Sequence, residues 1–134
     1  MTLGAKLKLR PGARAALVGA PPGYRKALGK LPQGTTLAAA LKGKYDWVQV
    51  FARTSAELRR LAPGAVRALG PEGLLWVSFP KGTSQVQTDL TRDTGWGALR
   101  RHALKWVTLV SVDNTWSAFC VRRFRPGEAR RSFR

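Results

Sequence analysis

The stretch GLLWVSF, Gly73 to Phe79, is free of charge and apolar at every position except Ser78. A strand with one wet face alternates apolar and polar residues, whereas a strand covered on both faces reads as a continuous apolar run. The run therefore predicts a central strand of a mostly parallel sheet with helices on either side. Its surroundings agree. ARAALVGA (Ala13 to Ala20), ended by Pro21-Pro22-Gly23, and YDWVQVFA (Tyr45 to Ala52) are further apolar runs bounded by turn residues. Thr35 to Leu41 is an alanine-rich strand candidate between them.

Helical spacings separate these runs. Tyr24, Ala27, Leu28 and Leu31 fall at i, i+3, i+4 and i+7, one helix face, with Pro22 near the first turn. Thr54 or Ser55 can cap a second helix, with Glu57 in its first turn and Leu58, Leu61 and Ala62 on its buried side. Pro63-Gly64 is expected to break or kink that helix, and Gly70-Pro71-Glu72-Gly73 to end the segment. Leu90, Trp96, Leu99 and Ala103 give a third face, weakened by Gly95 and Gly97. KWVTLVSV and TWSAFCVRR flank Asp113-Asn114, a turn that predicts an antiparallel hairpin. The expected fold is a single three-layer Rossmann-like α/β domain over residues 1–124. Its mostly parallel sheet of about six strands ends in an antiparallel hairpin. Residues 125–134 read as a basic, flexible tail.

With 134 residues, 44% of them hydrophobic and five of them Trp, the chain can bury one core without staples. Cys120 is alone, which excludes an internal disulfide and a cysteine-based zinc site and predicts a cytoplasmic setting. No apolar run nears the roughly 18 residues of a membrane span, and MTLGAKLKLRPG has no signal-type apolar core. No membrane, metal or cofactor is expected. The charge is the least ordinary property: 24 Lys and Arg against 7 Asp and Glu, net +17. Residues 1–45 hold nine basic side chains and no acid, 46–99 hold six against five, and 100–134 hold nine against two. Such a balance suggests a polyanion, nucleic acid first of all, as partner.

Three stretches carry a family resemblance. LGAKLKLRPGARAALVGAPPGY, GLLWVSFPKGTSQVQTDLTRD and VDNTWSA resemble the motifs of a small bacterial family classed as a domain of unknown function, DUF 3052. The likeness runs from about Leu3 to Arg123. It is most specific at Trp76 with Pro80-Lys81 and at Asp113, Trp116 and Ser117. That family implies no activity. The order of elements is also similar to the class I methyltransferase core, a Rossmann-like sheet closed by a hairpin. This resemblance implies a glycine-rich loop after the first strand and an acidic side chain after the second, to hold S-adenosylmethionine. Here the first loop is Gly19-Ala20-Pro21-Pro22-Gly23, the second strand ends in Leu41-Lys42, and no acid precedes Asp46.

No catalytic residue or metal ligand follows from the remaining chemistry. His102, in Arg100-Arg101-His102, reads as a solvated or capping residue, and Cys120, inside an apolar strand, as a buried filler. Asp89 and Asp93, at i and i+4, read as carboxylates at a helix start. Lys81-Gly82-Thr83 has residue types of a phosphate loop in the wrong order. In open parallel sheets, ligands gather beyond the carboxyl ends of the strands. Three such ends, Gly19–Gly23, Ala52–Ser55 and Pro80–Ser84, are expected to bring Lys81, Thr83, Ser84 and Arg53 to one rim beside helix N-termini that favour anions. Arg92 would close over it, with Tyr24, Asp89 and Trp116 as secondary candidates. Competing with this, TDLTRD (Thr88 to Asp93) has the composition of an ordinary helix start. The expected function is a non-catalytic domain binding an anionic ligand, nucleic acid first. The alternatives are a degenerate or divergent methyltransferase-like or nucleotide-binding enzyme, and an adaptor for an acidic protein partner.

Overall fold

A computed structural model describes residues 1–86 and 88–131. Among them, six strands form one sheet: β1 (Arg14–Val18), β2 (Thr36–Ala38), β3 (Tyr45–Phe51), β4 (Leu69–Pro80), β5 (Lys105–Ser111) and β6 (Trp116–Arg122). Their order across the sheet is β2-β1-β3-β4-β6-β5. β1 pairs in parallel with β2 and β3, and β3 with β4, whereas β6 runs antiparallel to both β4 and β5. The sheet is thus mixed and mostly parallel, as expected, and its closing hairpin folds back so that the later strand enters first. The apolar run that begins at Gly73 becomes the centre of β4. It pairs with β3 on one side and β6 on the other, and Leu75 to Phe79 are each no more than 2% exposed.

Each face of the sheet has its own core. On one, Val48, Val50, Leu75, Val77 and Phe119 pack against α3 (Ser55–Arg67) through Leu58, Ala62, Ala65 and Val66. α3 starts where the sequence places it. The Thr54 hydroxyl accepts from Glu57 N at 3.1 Å, and the Glu57 carboxylate reaches back to Arg53 N at 2.6 Å. The helix does not break at Pro63. It runs on to Arg67, Ala68 N still closes on Gly64 O at 3.0 Å, and Ala62, Ala65 and Val66 stay buried. Packing of the apolar stripe outweighs the one hydrogen bond the proline removes. On the other face, Trp47, Phe51, Trp76 and Trp116 lie under Leu7, Leu9, Tyr24 and Leu28. This cover comes from single helical turns, α1 (Leu3–Lys6) and α2 (Tyr24–Ala27), which is shorter than the Tyr24-to-Leu31 spacing suggests. Trp47 Nε1 donates to Leu7 O at 2.8 Å, and edge-on ring contacts run from Tyr24 to Phe51 and on to Trp116.

The largest departure follows β4. The expected helix from Leu90 to Ala103 shrinks to α4 (Gly97–Arg100), a single turn. Leu90, Trp96 and Leu99 are buried as expected, but the first two plug the core from a loop. Gly95 explains why. It sits at φ +94°, and a Cβ there would lie 2.6 Å from Asp89 O, so the chain crosses itself too tightly for helix. β4 also begins earlier than Gly73. Leu69 already pairs with Tyr45, and the register slips between Tyr45 and Trp47 as Gly70-Pro71-Glu72 bulges out.

Beyond β6, Glu128 ties the chain back to the sheet. Its carboxylate accepts from the Arg122 guanidinium at 2.9 and 2.7 Å and from Arg125 N at 2.8 Å, which holds it well below the usual range for a carboxylate. The end of the expected tail, 132–134, lies outside the described residues. Among the described residues no helix is long and apolar enough to cross a membrane, and no cluster of three or more His, Cys, Asp or Glu occurs.

Candidate ligand sites at the carboxyl edge of the sheet

After β1 the chain goes to β2 on one side, then crosses to β3 on the other. The connections diverge between β1 and β3, where open sheets hold their ligands. A cavity of about 350 Å³ opens beside this point, lined by Leu17, Ala20, Pro21, Tyr24, Arg25 and Ala38 and by backbone of the Gly19–Gly23 loop. Gly23 (φ +80°) has nothing within 4 Å of where a Cβ would stand, so the loop backbone is open to a ligand. Beneath it, Tyr24 Oη donates to Gln49 Oε1 at 2.9 Å, and Gln49 Nε2 donates to Ser78 Oγ at 2.8 Å. All three side chains are buried. Burial pushes the Tyr24 phenol up to about 12, so it stays a neutral donor. Gln49 and Ser78 were not among the sequence candidates. Their signal was there: each is a polar residue inside an apolar strand run.

The carboxyl end of β3 is already occupied by the protein itself. Ser55 N donates to Asp89 Oδ1 at 2.8 Å, and the Ser55 hydroxyl donates to Asp89 Oδ2. These bonds hold the Asp89 carboxyl below its ordinary value. The N-terminus of α3, expected to attract an external anion, is thus filled by an internal one. TDLTRD is therefore not a helix start, and Asp89 and Asp93 do not share a helix face: Asp89 caps the preceding helix instead of the next. Arg53 follows β3 at the carboxyl edge but does not line the cavity beyond β4. Its guanidinium lies 5.3 Å from the centre of the Trp116 ring and 4.0 Å from the Glu57 carboxylate.

A second cavity, of about 360 Å³, lies beyond β4 and is lined by Phe79, Lys81, Thr83, Thr91, Arg92 and Leu109, with Gly82, Asp93 and Ser117. Three primary candidates, Lys81, Thr83 and Arg92, therefore share one space. Lys81 is set by two contacts, N to Thr115 O at 2.8 Å and Nζ to Ser111 Oγ at 2.6 Å. Ser84 turns back onto Lys81 O, with its hydroxyl at 2.7 Å, and does not line the cavity. Of the secondary candidates, Tyr24 belongs to the crevice beyond β1, Asp89 to the cap, and Trp116 packs on Phe51 with ring centres 5.0 Å apart. Cys120 is fully buried, and burial pushes its thiol up to about 12, which makes it inert. Two larger hollows, of about 610 and 630 Å³, lie at the opposite, amino edge, where Asp46 and Glu72 sit among Arg125 and other basic residues. Strand direction favours the carboxyl edge as the ligand side despite their size.

The architecture has counterparts among solved structures. A TehB-like SAM-dependent methyltransferase from Corynebacterium glutamicum superposes with a TM-score of 0.59 at 13% identity, over 92% of this chain and 89% of that one. A ribosomal-protein methylase from Lactobacillus delbrueckii subsp. bulgaricus gives a TM-score of 0.60 at 14% identity, over 92% and 75%. The B. subtilis tRNA methyltransferase TrmK gives 0.55 at 10% identity, over 91% and 65%. At these identities the likeness is one of fold alone, a Rossmann-like α/β core. No family model matches the chain, so the likeness of its motifs to DUF 3052 stays a resemblance, and no curated protein matches it either.

Proposed function

We propose that the chain is a divergent methyltransferase-like domain that takes a nucleotide-class ligand in the crevice beyond β1 and β2. The observation that carries this is the crevice itself, at the carboxyl ends of β1 and β2 beside the switch point of the sheet, with an apolar lining and Arg25 as its one charged residue. Leu17, Ala20, Pro21 and Ala38 suit the faces of a flat base, and the open backbone at Gly23 admits close approach. The fold likeness to SAM-dependent methyltransferases supports this class over the nucleic-acid-binding module that the charge first suggests.

S-adenosylmethionine itself does not fit the lining. In crevices of this kind a carboxylate about 20 residues after the glycine loop holds the ribose diol. Here that place is taken by Ala38 and Ala39, and the lining contains no acid. Arg25 would repel a sulfonium and attract a phosphate. No methyl-transfer step is therefore assigned. Calorimetry with AMP and with S-adenosylmethionine tests the proposal. AMP should bind saturably, about tenfold more weakly after Arg25→Gln, and not at all after Ala39→Trp, which fills the crevice from an exposed position. Tighter binding of S-adenosylmethionine than of AMP, or no heat from either, overturns it.

The partition of charge favours a second reading, attraction to nucleic acid through the basic first and last thirds of the chain. Log affinity for a polynucleotide should then fall linearly with log salt. Absence of binding at about 50 mM salt ends that reading.

A further inference from the structure

Residues 81–96, the link from β4 to α4, far exceed the roughly two to six residues that such a connection usually takes. Their hydrogen bonds show what the length builds. Ser84 donates from both N (3.0 Å) and Oγ (2.7 Å) to Lys81 O, closing a first turn. The Thr91 and Thr94 hydroxyls meet at 2.8 Å and Thr91 N donates to Thr94 O at 3.1 Å, closing a second turn around Arg92. Between the two, the Thr88 hydroxyl donates to Arg53 O and Asp89 holds Ser55, so the loop is pinned to α3 near its midpoint. Leu90, fully buried, roots it in the core. The turns form two facing walls of the cavity beyond β4, whose floor is Phe79 and Leu109.

We infer that this cavity is a binding site for a phosphate-class anion that carries a small apolar group, distinct from the crevice beyond β1. Lys81 uses one of its three N–H groups on Ser111, which leaves two for a ligand. Arg92 stands exposed on the opposite wall, and Thr83, Thr91 and Ser117 add hydroxyls. Asp93 also lines the cavity, so the charged lining is two cations against one anion, which suits a singly or doubly charged phosphate ester. The apolar floor separates this site from a plain anion patch, because bare phosphate would leave the half-buried Leu109 uncovered. Both walls are held by side chains before any ligand arrives, which lowers the entropy cost of binding.

Calorimetry of the whole protein with phenyl phosphate tests the inference, with inorganic phosphate and a short single-stranded oligonucleotide as further arms. Phenyl phosphate should saturate one site and bind more tightly than inorganic phosphate. Arg92→Gln and Lys81→Gln should each weaken it about tenfold. Gly82→Phe, at an exposed position with nothing within 4 Å of its Cβ, should block it. Arg25→Gln should leave it unchanged. Competition by the oligonucleotide would identify nucleic-acid phosphate as the source of the group, and its absence a free phosphate ester. An unchanged affinity in Arg92→Gln overturns the inference whatever Lys81→Gln does. Equal loss in Arg25→Gln also overturns it, by placing the ligand beyond β1.

Discussion

After β1 the chain turns within Gly19–Gly23, two prolines lying between two glycines at positive φ. After β4 it takes residues 81–96, and threonine and serine hydroxyls and one carboxylate hold the described residues among them. Both loops wall a cavity of nearly the same size, about 350 and 360 Å³. The first is stiffened by the fixed φ of Pro21 and Pro22, the second by side chains that cross-link it. Backbone stiffness should survive the loss of one contact, whereas cross-linked stiffness should fail in steps.

Substitutions can break or sharpen this contrast. Leu90→Ala should have the largest effect, about 2–5 kcal/mol in urea unfolding, because it empties a fully buried position under the long loop. AMP binding beyond β1 should persist in that variant, and its loss would erase the contrast. Gln49→Leu should cost about 1–3 kcal/mol by leaving the buried Tyr24 hydroxyl without its acceptor. It should weaken AMP binding more than phenyl phosphate binding, since Tyr24 lines only the first cavity. Gly23→Ala should cost about 1 kcal/mol from strain at φ +80° alone, because no atom obstructs the new methyl.

The pH dependence should be the smallest effect, since Asp89 is exposed and Glu128 is only half-buried. Asp89 and Glu128 both have carboxyls held below their unfolded values, by Ser55 and by Arg122 respectively. Their stabilisation is present above pH about 4, the unfolded carboxylate range, and fades as pH falls through the lower folded values. Thermal midpoints measured from pH 6 down to 2 should therefore fall, less steeply in Asp89→Asn and in Glu128→Gln. Only the Asp89 variant should also loosen phenyl phosphate binding.

What could be read in advance follows the same divide. Strands β1, β3 and β4 announce themselves by continuous apolar runs, and the cap of α3 by Thr54 with Glu57, because these signals lie within a few neighbouring residues. Lys81, Thr83 and Arg92 were legible as candidates from strand direction and residue type. The role of Asp89 was not, because its partner Ser55 lies 34 positions away and a carboxylate in TDLTRD looks the same whether it caps the next helix or the previous one. Leu90 and Trp96 show a related limit. Their helical spacing reports real burial, but a loop that plugs a core can bury residues at the same intervals. The Tyr24–Gln49–Ser78 line joins three segments, so a polar residue in an apolar run could flag Gln49 and Ser78 without naming their partners.

The place of β6 bears on how the chain is made. β6 fills the slot between β4 and β5, although it is synthesised after both. Until residue 122 has left the ribosome, the most apolar strand of the protein presents a bare row of amides and carbonyls along one side. A nascent chain in that condition is a template for pairing with its neighbours on a polysome. Truncations that end between β5 and β6 should accordingly accumulate in the insoluble fraction, whereas chains carrying β6 should not.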